Sequence, residues 1–227
     1  MNKILVLGDS HSEVWSFIKK RNLCSDVTFN IKTVAGATAY GCGNPNSKTE
    51  SYKIFKETIK QNTDSDYVMI MLGEVDCGFL IWYKSQTLNI DVPTILKQTI
   101  DKYQEFIQDV VQEYFLPEQI ILLDSSLPVI KDQTDKKFLT GARSQVSASI
   151  SDRIDLTLEF NLVLNDLALK FGYNRLGITE HILDKDLKQV HSKFLKDDPY
   201  DHHVSSKAVA KIWSSELEKF LYNKKEN

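Results

Sequence analysis

Short apolar segments along the chain are bounded by turn residues, and they have the length of strands. The predicted strands are Ile4–Leu7, Val27–Val34, Tyr67–Leu72, Gln119–Leu123 and Leu176–Leu183. Between them, apolar positions recur every three or four residues, which predicts helices. The predicted helices are Ser12–Lys20, Glu50–Gln61, Pro93–Tyr114, Ser147–Phe171 and Ser205–Tyr222. This alternation predicts an α/β protein, a three-layer α/β/α sandwich of the flavodoxin-like type with a mostly parallel sheet of about five strands.

The composition along the chain gives no sign of a boundary between domains. Its 227 residues suit one α/β domain with a sizeable core. We expect a single domain over residues 1–222 and a frayed, charged tail over residues 223–227. The polar stretches at residues 41–49 and 131–145 are interpreted as loops, because their neighbours continue the same strand and helix alternation.

Charge and cysteine content limit the function classes. A formal net charge of −3 does not favour a nucleic-acid partner. No apolar run has the length of a membrane span. The three cysteines, Cys24, Cys42 and Cys77, lack metal-type spacing and are interpreted as free thiols. Because the first strand follows Met1 almost directly, we expect no cleavable signal peptide and a cytoplasmic location.

The first candidate for chemistry is Gly8-Asp9-Ser10-His11, which follows the first predicted strand. In open α/β sheets, ligands and catalytic groups collect at the carboxyl ends of the strands. Ser10 also precedes a predicted helix, whose unpaired N–H groups could stabilise the oxyanion that its attack creates. Asp and Ser are ordinary turn residues as well, so this segment alone does not decide between a turn and a nucleophile.

A second candidate is the polar segment from Asp197 to Ser205, just before the last predicted helix. A histidine with a nearby carboxylate can serve as a base and its orienting group. The adjacent His202 and His203 could instead bind a metal ion. Since neighbouring side chains of an extended segment point to opposite sides, we favour the base and expect neither a metal nor another cofactor.

These segments together resemble the SGNH/GDSL hydrolase family. Gly8-Asp9-Ser10 matches its first block and Gly36 matches the oxyanion glycine of its second. Gly73-Glu74-Val75-Asp76 matches the third block, which is Gly-x-Asn-Asp in the family. The segment that contains His203 matches the last block, Asp-x-x-His. The resemblance covers the whole chain, and it implies that Ser10 is the nucleophile, His203 the base, and the N–H groups of Ser10 and Gly36 the oxyanion hole.

The chain departs from the family pattern at two places. Val75 stands where the family has its oxyanion Asn, and valine cannot donate a hydrogen bond. Asn44, Asn46 or a protonated Glu74 are candidate replacements for that donor. Tyr200 stands three residues before His203, where the family has Asp.

The shift at Tyr200 leaves two candidates for the carboxylate that orients His203. Asp201 lies two residues before this histidine and is our first choice. Asp198 lies five residues before it and is the alternative.

Further residues near these blocks are candidates for substrate contact. The predicted substrate-binding residues are Asp9, Glu74, Asp76, Trp82 and His202. Trp82 and Tyr83 could stack on a sugar or pack beneath their loop, while His11 is interpreted as a helix-start residue or pocket wall. Arg143 and Arg153 could pair with an anionic substrate group, although most such arginines are ion-paired at the surface.

The resemblance implies an esterase that works through an acyl-serine intermediate. We expect a small acyl group, in particular acetyl, carried by a small molecule or a glycan. One alternative is an O-acyltransferase that modifies a polysaccharide precursor. Another is a non-catalytic carbohydrate-binding module with the same fold, and a metal-dependent hydrolase is the third.

Overall fold

A five-stranded parallel sheet forms the centre of the molecule, in a computed structural model that describes residues 1–139 and 141–226. Its strand order is β2-β1-β3-β4-β5, and every neighbouring pair is parallel. The strands are β1 Asn2–Gly8, β2 Val27–Thr33, β3 Tyr67–Met71, β4 Ile120–Leu123 and β5 Asn174–Leu176. A separate antiparallel pair is formed by β6 Leu183–Asp184 and β7 Gln189–Val190.

Helices cover both faces of this sheet. They are α1 Glu13–Arg21, α2 Ala39–Cys42, α3 Ser51–Lys60, α4 Ile81–Leu88, α5 Val92–Phe106, α6 Ile150–Phe171, α7 Thr179–Ile182 and α8 Ser206–Glu226. Alternate residues of β1 enter different cores: Leu5 and Leu7 pack with α3, α5 and α6, whereas Ile4 and Val6 pack with α1 and α8. This period-two division confirms the predicted three-layer sandwich.

The register of the sheet brings three turns to one edge. Gly8 at the end of β1 pairs with Thr33 of β2 and with Met71 of β3. Because the strands are parallel, the segments that follow them leave the same edge. Ser10, Gly36 and Glu74 therefore belong to neighbouring turns.

The structure differs from the predicted elements after two of the strands, β5 and β3. The strand predicted over Leu176–Leu183 is wrong, because β5 ends at Leu176 and the short helix α7 follows. Ile178 and Ile182, four residues apart, both face the core beside α8, which is a helical spacing. The segment after β3, interpreted as an aromatic loop, is a π-helical turn over Asp76–Leu80 that continues into α4.

The last helix is longer than predicted. It continues through Glu226, four residues beyond the predicted end at Tyr222. Leu217 and Leu221 anchor the turns that precede this extension in the core. Among the described helices, none is long and apolar enough to cross a membrane.

Candidate active site

Ser10 lies at the carboxyl edge of β1, in a single 3₁₀ turn. Asp9 fixes this turn, because its backbone N–H donates to Met71 O (3.2 Å) and its carboxylate accepts the His11 N–H (2.8 Å). The Ser12 N–H then bonds back to Asp9 O at 3.0 Å. These bonds hold the Ser10 hydroxyl at the surface of the edge, partly exposed.

His203 bridges Ser10 and a carboxylate. Ser10 Oγ–H donates to His203 Nε2 at 2.8 Å, and His203 Nδ1 donates to Asp201 Oδ1 at 2.7 Å. The same carboxylate accepts the His203 backbone N–H at 2.9 Å. A carboxylate can only accept, so Nδ1 carries the proton and Nε2 presents its lone pair to the serine.

The two carboxylates considered for orienting His203 have different surroundings. Asp201 Oδ2 also accepts Lys196 Nζ at 2.7 Å, so that both of its oxygens are engaged. Asp198 is exposed and caps its own turn by accepting the Tyr200 N–H at 2.9 Å. The geometry therefore places Asp201, not Asp198, against the imidazole.

The charges around His203 favour its neutral form. Burial lowers the pKa of His203, and the positive charge of His11 lowers it further, while Asp201 acts in the opposite direction. Burial alone would raise the pKa of Asp201. The hydrogen bonds from Lys196 and His203 outweigh that effect and hold the pKa of this carboxyl well below its usual range.

His11 is a buried cation directly beneath the candidate site. Its Nδ1 faces Asp9 Oδ1 at 3.1 Å and its Nε2 faces His202 O at 3.3 Å. Because both partners only accept, this geometry favours donation by both ring nitrogens, which is the imidazolium form. Burial lowers the pKa of His11, but the carboxylates of Glu74 and Asp9 outweigh it and raise the pKa to about 9. Its ring centre lies 4.5 Å from that of His203.

Glu74 links this cation to an arginine. The Arg143 guanidinium donates to both oxygens of Glu74, at 3.2 and 3.0 Å, and His11 Nδ1 lies 3.9 Å from the same carboxylate. Burial raises the pKa of Glu74, but Arg143 and His11 outweigh it and lower the pKa to about 2. Asp9, His11, Glu74 and Arg143 thus form a buried chain of alternating charges, called the charge network below.

Asp76 holds the segment that follows Gly36. Its fully buried carboxylate accepts the Ala39 N–H at 2.7 Å and the Tyr40 N–H at 3.2 Å. Burial raises its pKa to about 7, although these two hydrogen bonds act to lower it. The φ of Gly36, +73°, favours glycine at the turn that Asp76 supports.

Three carboxylates predicted to contact substrate do not face the solvent. Asp9, Glu74 and Asp76 have exposures of 1%, 2% and 0%, and the protein's own N–H groups occupy their oxygens. Sequence reasoning identified them as polar residues of the active edge but could not give their burial. In the structure their contacts are with other groups of the chain: the His11 N–H, the Arg143 guanidinium and the Ala39 N–H.

Other predicted contacts also differ. Trp82 is partly buried, packs against the core and donates its indole N–H to Cys77 O at 2.9 Å. Asn44 Oδ1 accepts the Asn46 N–H at 3.0 Å, in a loop whose Gly43 lies against Lys102 of α5. No contact among the described residues connects either asparagine to Ser10.

His202 and His203 lie side by side, contrary to the expectation that they point apart. Their ring centres are 3.9 Å apart. Asp201, His202 and His203 each offer one ligand atom, and these atoms all lie within 4.8 Å of one another. A metal ion could use this spacing, but Asp201 and His203 already bond each other, and His203 bonds Ser10. Burial and the nearby Arg143 lower the pKa of His202 to about 4.

Solved structures resemble this arrangement over nearly the whole chain. A GDSL-like lipase from Bacteroides thetaiotaomicron superposes with a TM-score of 0.61 at 12% identity, over 98% of this chain and 88% of the other. A psychrotrophic esterase from Pseudoalteromonas sp. gives 0.56 at 13% identity, over 98% and 100%. An acetyl xylan esterase gives 0.57 at 12% identity, over 96% and 99%. No family model and no curated protein matches the sequence.

The chain has the SGNH/GDSL hydrolase fold. In this SGNH/GDSL hydrolase fold, Val75 occupies the position predicted for the oxyanion Asn and is buried, 5% exposed, at the start of the π-helical turn. In the described part of the chain, no hydrogen bond engages the backbone N–H of Ser10 or Gly36. These two N–H groups therefore remain the candidate donors of the oxyanion hole that the resemblance implies.

Proposed function

We propose that the chain is a serine-dependent ester hydrolase that acts on a small acyl ester, specifically an acetyl ester of a carbohydrate. The observation that carries the proposal is the continuous hydrogen-bonded series from Ser10 Oγ through His203 to Asp201, with distances of 2.8 and 2.7 Å. Such a series is the arrangement that activates a serine for attack on a carbonyl.

In the proposed reaction, Ser10 Oγ attacks the acyl carbonyl carbon while His203 Nε2 takes the hydroxyl proton. The tetrahedral intermediate collapses, the ester C–O bond breaks, and His203 gives its proton to the leaving alcohol. Water then attacks the acyl-serine and its proton passes to His203; the Ser10–acyl bond breaks to release the acid, and His203 returns the proton to Ser10 Oγ. Asp201 holds the imidazole in the required tautomer and stabilises the imidazolium.

The oxyanion hole is the weakest part of the proposed machinery. The backbone N–H groups of Ser10 and Gly36 would bind the oxyanion, and Val75 adds no donor. Loss of one such donor typically costs about 2.7–4 kcal/mol in the transition state. We therefore expect slow turnover, by a factor of about 10²–10³ relative to a site with a third donor.

The substrate assignment is supported by one neighbour and by the size of the hollow at Ser10. An acetyl xylan esterase shares the fold. The hollow that Ser10 and His203 line also carries apolar side chains, among them Val14, Ile178 and Trp213, but its volume of about 30 Å³ suits a small acyl group rather than a long acyl chain. A sugar hydroxyl in place of water would make the same acyl-serine an O-acyltransferase intermediate. We place the reaction in the cytoplasm, because the three cysteines are unpaired.

The test is to incubate the protein with 4-nitrophenyl acetate and measure both nitrophenol release and intact mass. We expect a burst and an acetyl adduct, both absent in Ser10→Ala. The matched control is Ser16→Ala, which removes an exposed hydroxyl on α1 and should behave as wild type. Equal turnover in wild type and Ser10→Ala would refute the acyl-serine. No adduct with a series of acyl esters would favour the non-catalytic module.

A further inference from the structure

A cationic cleft lies beside the candidate active site. It has a volume of about 270 Å³ and is formed between the π-helical turn after β3 and residues of the two segments 130–139 and 143–149. That volume is near the lower end for small-molecule sites, so it fits one compact group. Four of its lining side chains are cationic: Lys131, Lys136, Arg143 and Arg153.

The cleft and the active site share a wall. Gly78 lines the cleft, and a Cβ added to it would come within 2.8 Å of Glu74 Oε1. Glu74 is part of the charge network beneath His203. On the other side, Lys131 also lines a neighbouring hollow that includes Asp201. Lys196 lines both that hollow and the one that contains Ser10 and His203, so the three hollows adjoin through shared side chains.

The cleft has more positive charge than its carboxylates neutralise. Arg143 is paired with Glu74, and Arg153 Nη2 lies 3.5 Å from Asp132. The two lysines that line the cleft, Lys131 and Lys136, are exposed, and neither is within ion-pair distance of a carboxylate in the described part of the chain; Lys136 Nζ donates to Val146 O at 3.2 Å. This local excess occurs in a protein whose formal net charge is −3.

We propose that this cleft is a subsite for an anionic group, a carboxylate or a phosphate, carried by the ester that Ser10 attacks; the inference rests on the function proposed above. The two cleft lysines are the counter-charges for that anion. Phe79, whose ring lies 4.4 Å beneath the Arg143 guanidinium, supplies an apolar wall beside them. The substrate class is therefore an acylated acidic sugar or sugar phosphate rather than a neutral glycan.

The kinetic test compares acetylated methyl glucuronide with acetylated methyl glucoside, which differ by the carboxylate. We expect wild type to have a higher kcat/KM for the glucuronide, and 0.5 M NaCl to reduce that preference through screening. In the double variant Lys131→Gln/Lys136→Gln, the ratio of the two kcat/KM values should fall about five- to thirty-fold, the scale of two partly screened charge pairs. Acetylated glucose 1-phosphate is the third substrate and separates a phosphate site from a carboxylate site.

The charge-matched control is Lys20→Gln/Lys60→Gln, two exposed lysines on α1 and α3 that do not line the cleft. It should keep the wild-type ratio. If wild type hydrolyses the acidic and neutral esters equally, or if the preference survives the loss of the cleft lysines, the subsite is refuted while the Ser10 reaction stands.

A binding measurement separates failure of the subsite from failure of the proposed function. Ser10→Ala protein is titrated calorimetrically with methyl glucuronide, methyl glucoside and glucose 1-phosphate. Binding of an anionic ligand that weakens in the cleft double variant supports the subsite even if no ester is turned over. Equal binding of the neutral and both anionic ligands overturns it.

Discussion

Replacing His11 by Gln should move the acid limb of the pH–rate profile to higher pH. His203 works as a base only when it is neutral, so the acid limb of kcat/KM reports the pKa of His203 in the free enzyme. With a pKa raised to about 9, His11 is a cation throughout the acid limb, and its ring centre lies 4.5 Å from that of His203. It repels the protonated form of His203 and thereby lowers the pKa. Gln removes the charge but keeps an amide that can donate to Asp9.

The magnitude follows from the separation of the two rings. Two unit charges 4.5 Å apart interact by about 0.9 kcal/mol at the dielectric constant of water and by about 3.7 kcal/mol at an effective value near 20. Since one pKa unit corresponds to about 1.36 kcal/mol, the acid limb should rise by about 0.7 to 2.7 pH units. The lower part of this range applies if water enters beside the partly exposed His203 ring.

The assay is kcat/KM for 4-nitrophenyl acetate between pH 4 and 9 at constant ionic strength. Charges that face His203 from other elements, chiefly Lys196 and the Asp201 carboxylate, are retained in both proteins. His191→Gln is the matched control, because His191 is partly exposed, faces Asp184 and does not line the hollow that contains Ser10. Thermal melting checks that both variants fold. An acid limb that stays in place or moves to lower pH would refute the electrostatic reasoning.

The remaining predictions concern the carboxylates, stability and metal dependence. Asp201→Asn should reduce kcat by roughly 10⁴-fold, because the imidazole loses its tautomer control, whereas Asp198→Asn should change kcat little; equal losses would contradict the assignment. Asp76→Asn should lower thermal stability, by about 1.5–3 kcal/mol, since an amide cannot accept both N–H groups as the carboxylate does; an unchanged denaturation curve would oppose this. The folded-state pKa of His11 is raised to about 9, so this residue should stabilise the folded protein by about 3 kcal/mol below pH 6.5, and this stabilisation should disappear as pH rises through 9. The free energies of unfolding in urea of wild type and His11→Gln should therefore converge at high pH. EDTA should leave ester turnover unchanged. If EDTA abolished turnover and a divalent ion restored it, a metal ion bound by Asp201 and the two histidines that follow it would be favoured.

The sequence alone determined the fold class because the relevant signals are local. The short apolar run Ile4–Leu7 predicts a buried strand without any partner, and the structure divides its residues Leu5 and Ile4 between two cores. Where the local signal was ambiguous, the prediction was wrong. Ile178 and Ile182 fit a strand or a helix equally well, and packing beside α8 selected the helix.

The sequence also indicated the candidate nucleophile and base, since Ser10 and His203 belong to short motifs at strand and helix ends. It could not choose between Asp201 and Asp198. That choice depends on how the last loop folds back onto β1, bringing together residues 193 positions apart. Only the three-dimensional path of the loop directs one carboxylate to the imidazole and the other to its own turn.

Tertiary structure alone decided which polar residues face substrate. Glu74 and Asp76 follow β3 directly, and nothing in the sequence distinguishes them from carboxylates that are exposed to solvent. Both are buried and have protein partners. Glu74 lies against Arg143 and His11, and Asp76 accepts the Ala39 and Tyr40 N–H groups. An unpaired charge is costly in the interior, so its function is fixed by neighbours that are distant in sequence. Local pattern thus specified the sheet and its motif-bearing edge, and long-range burial specified what each charge at that edge does.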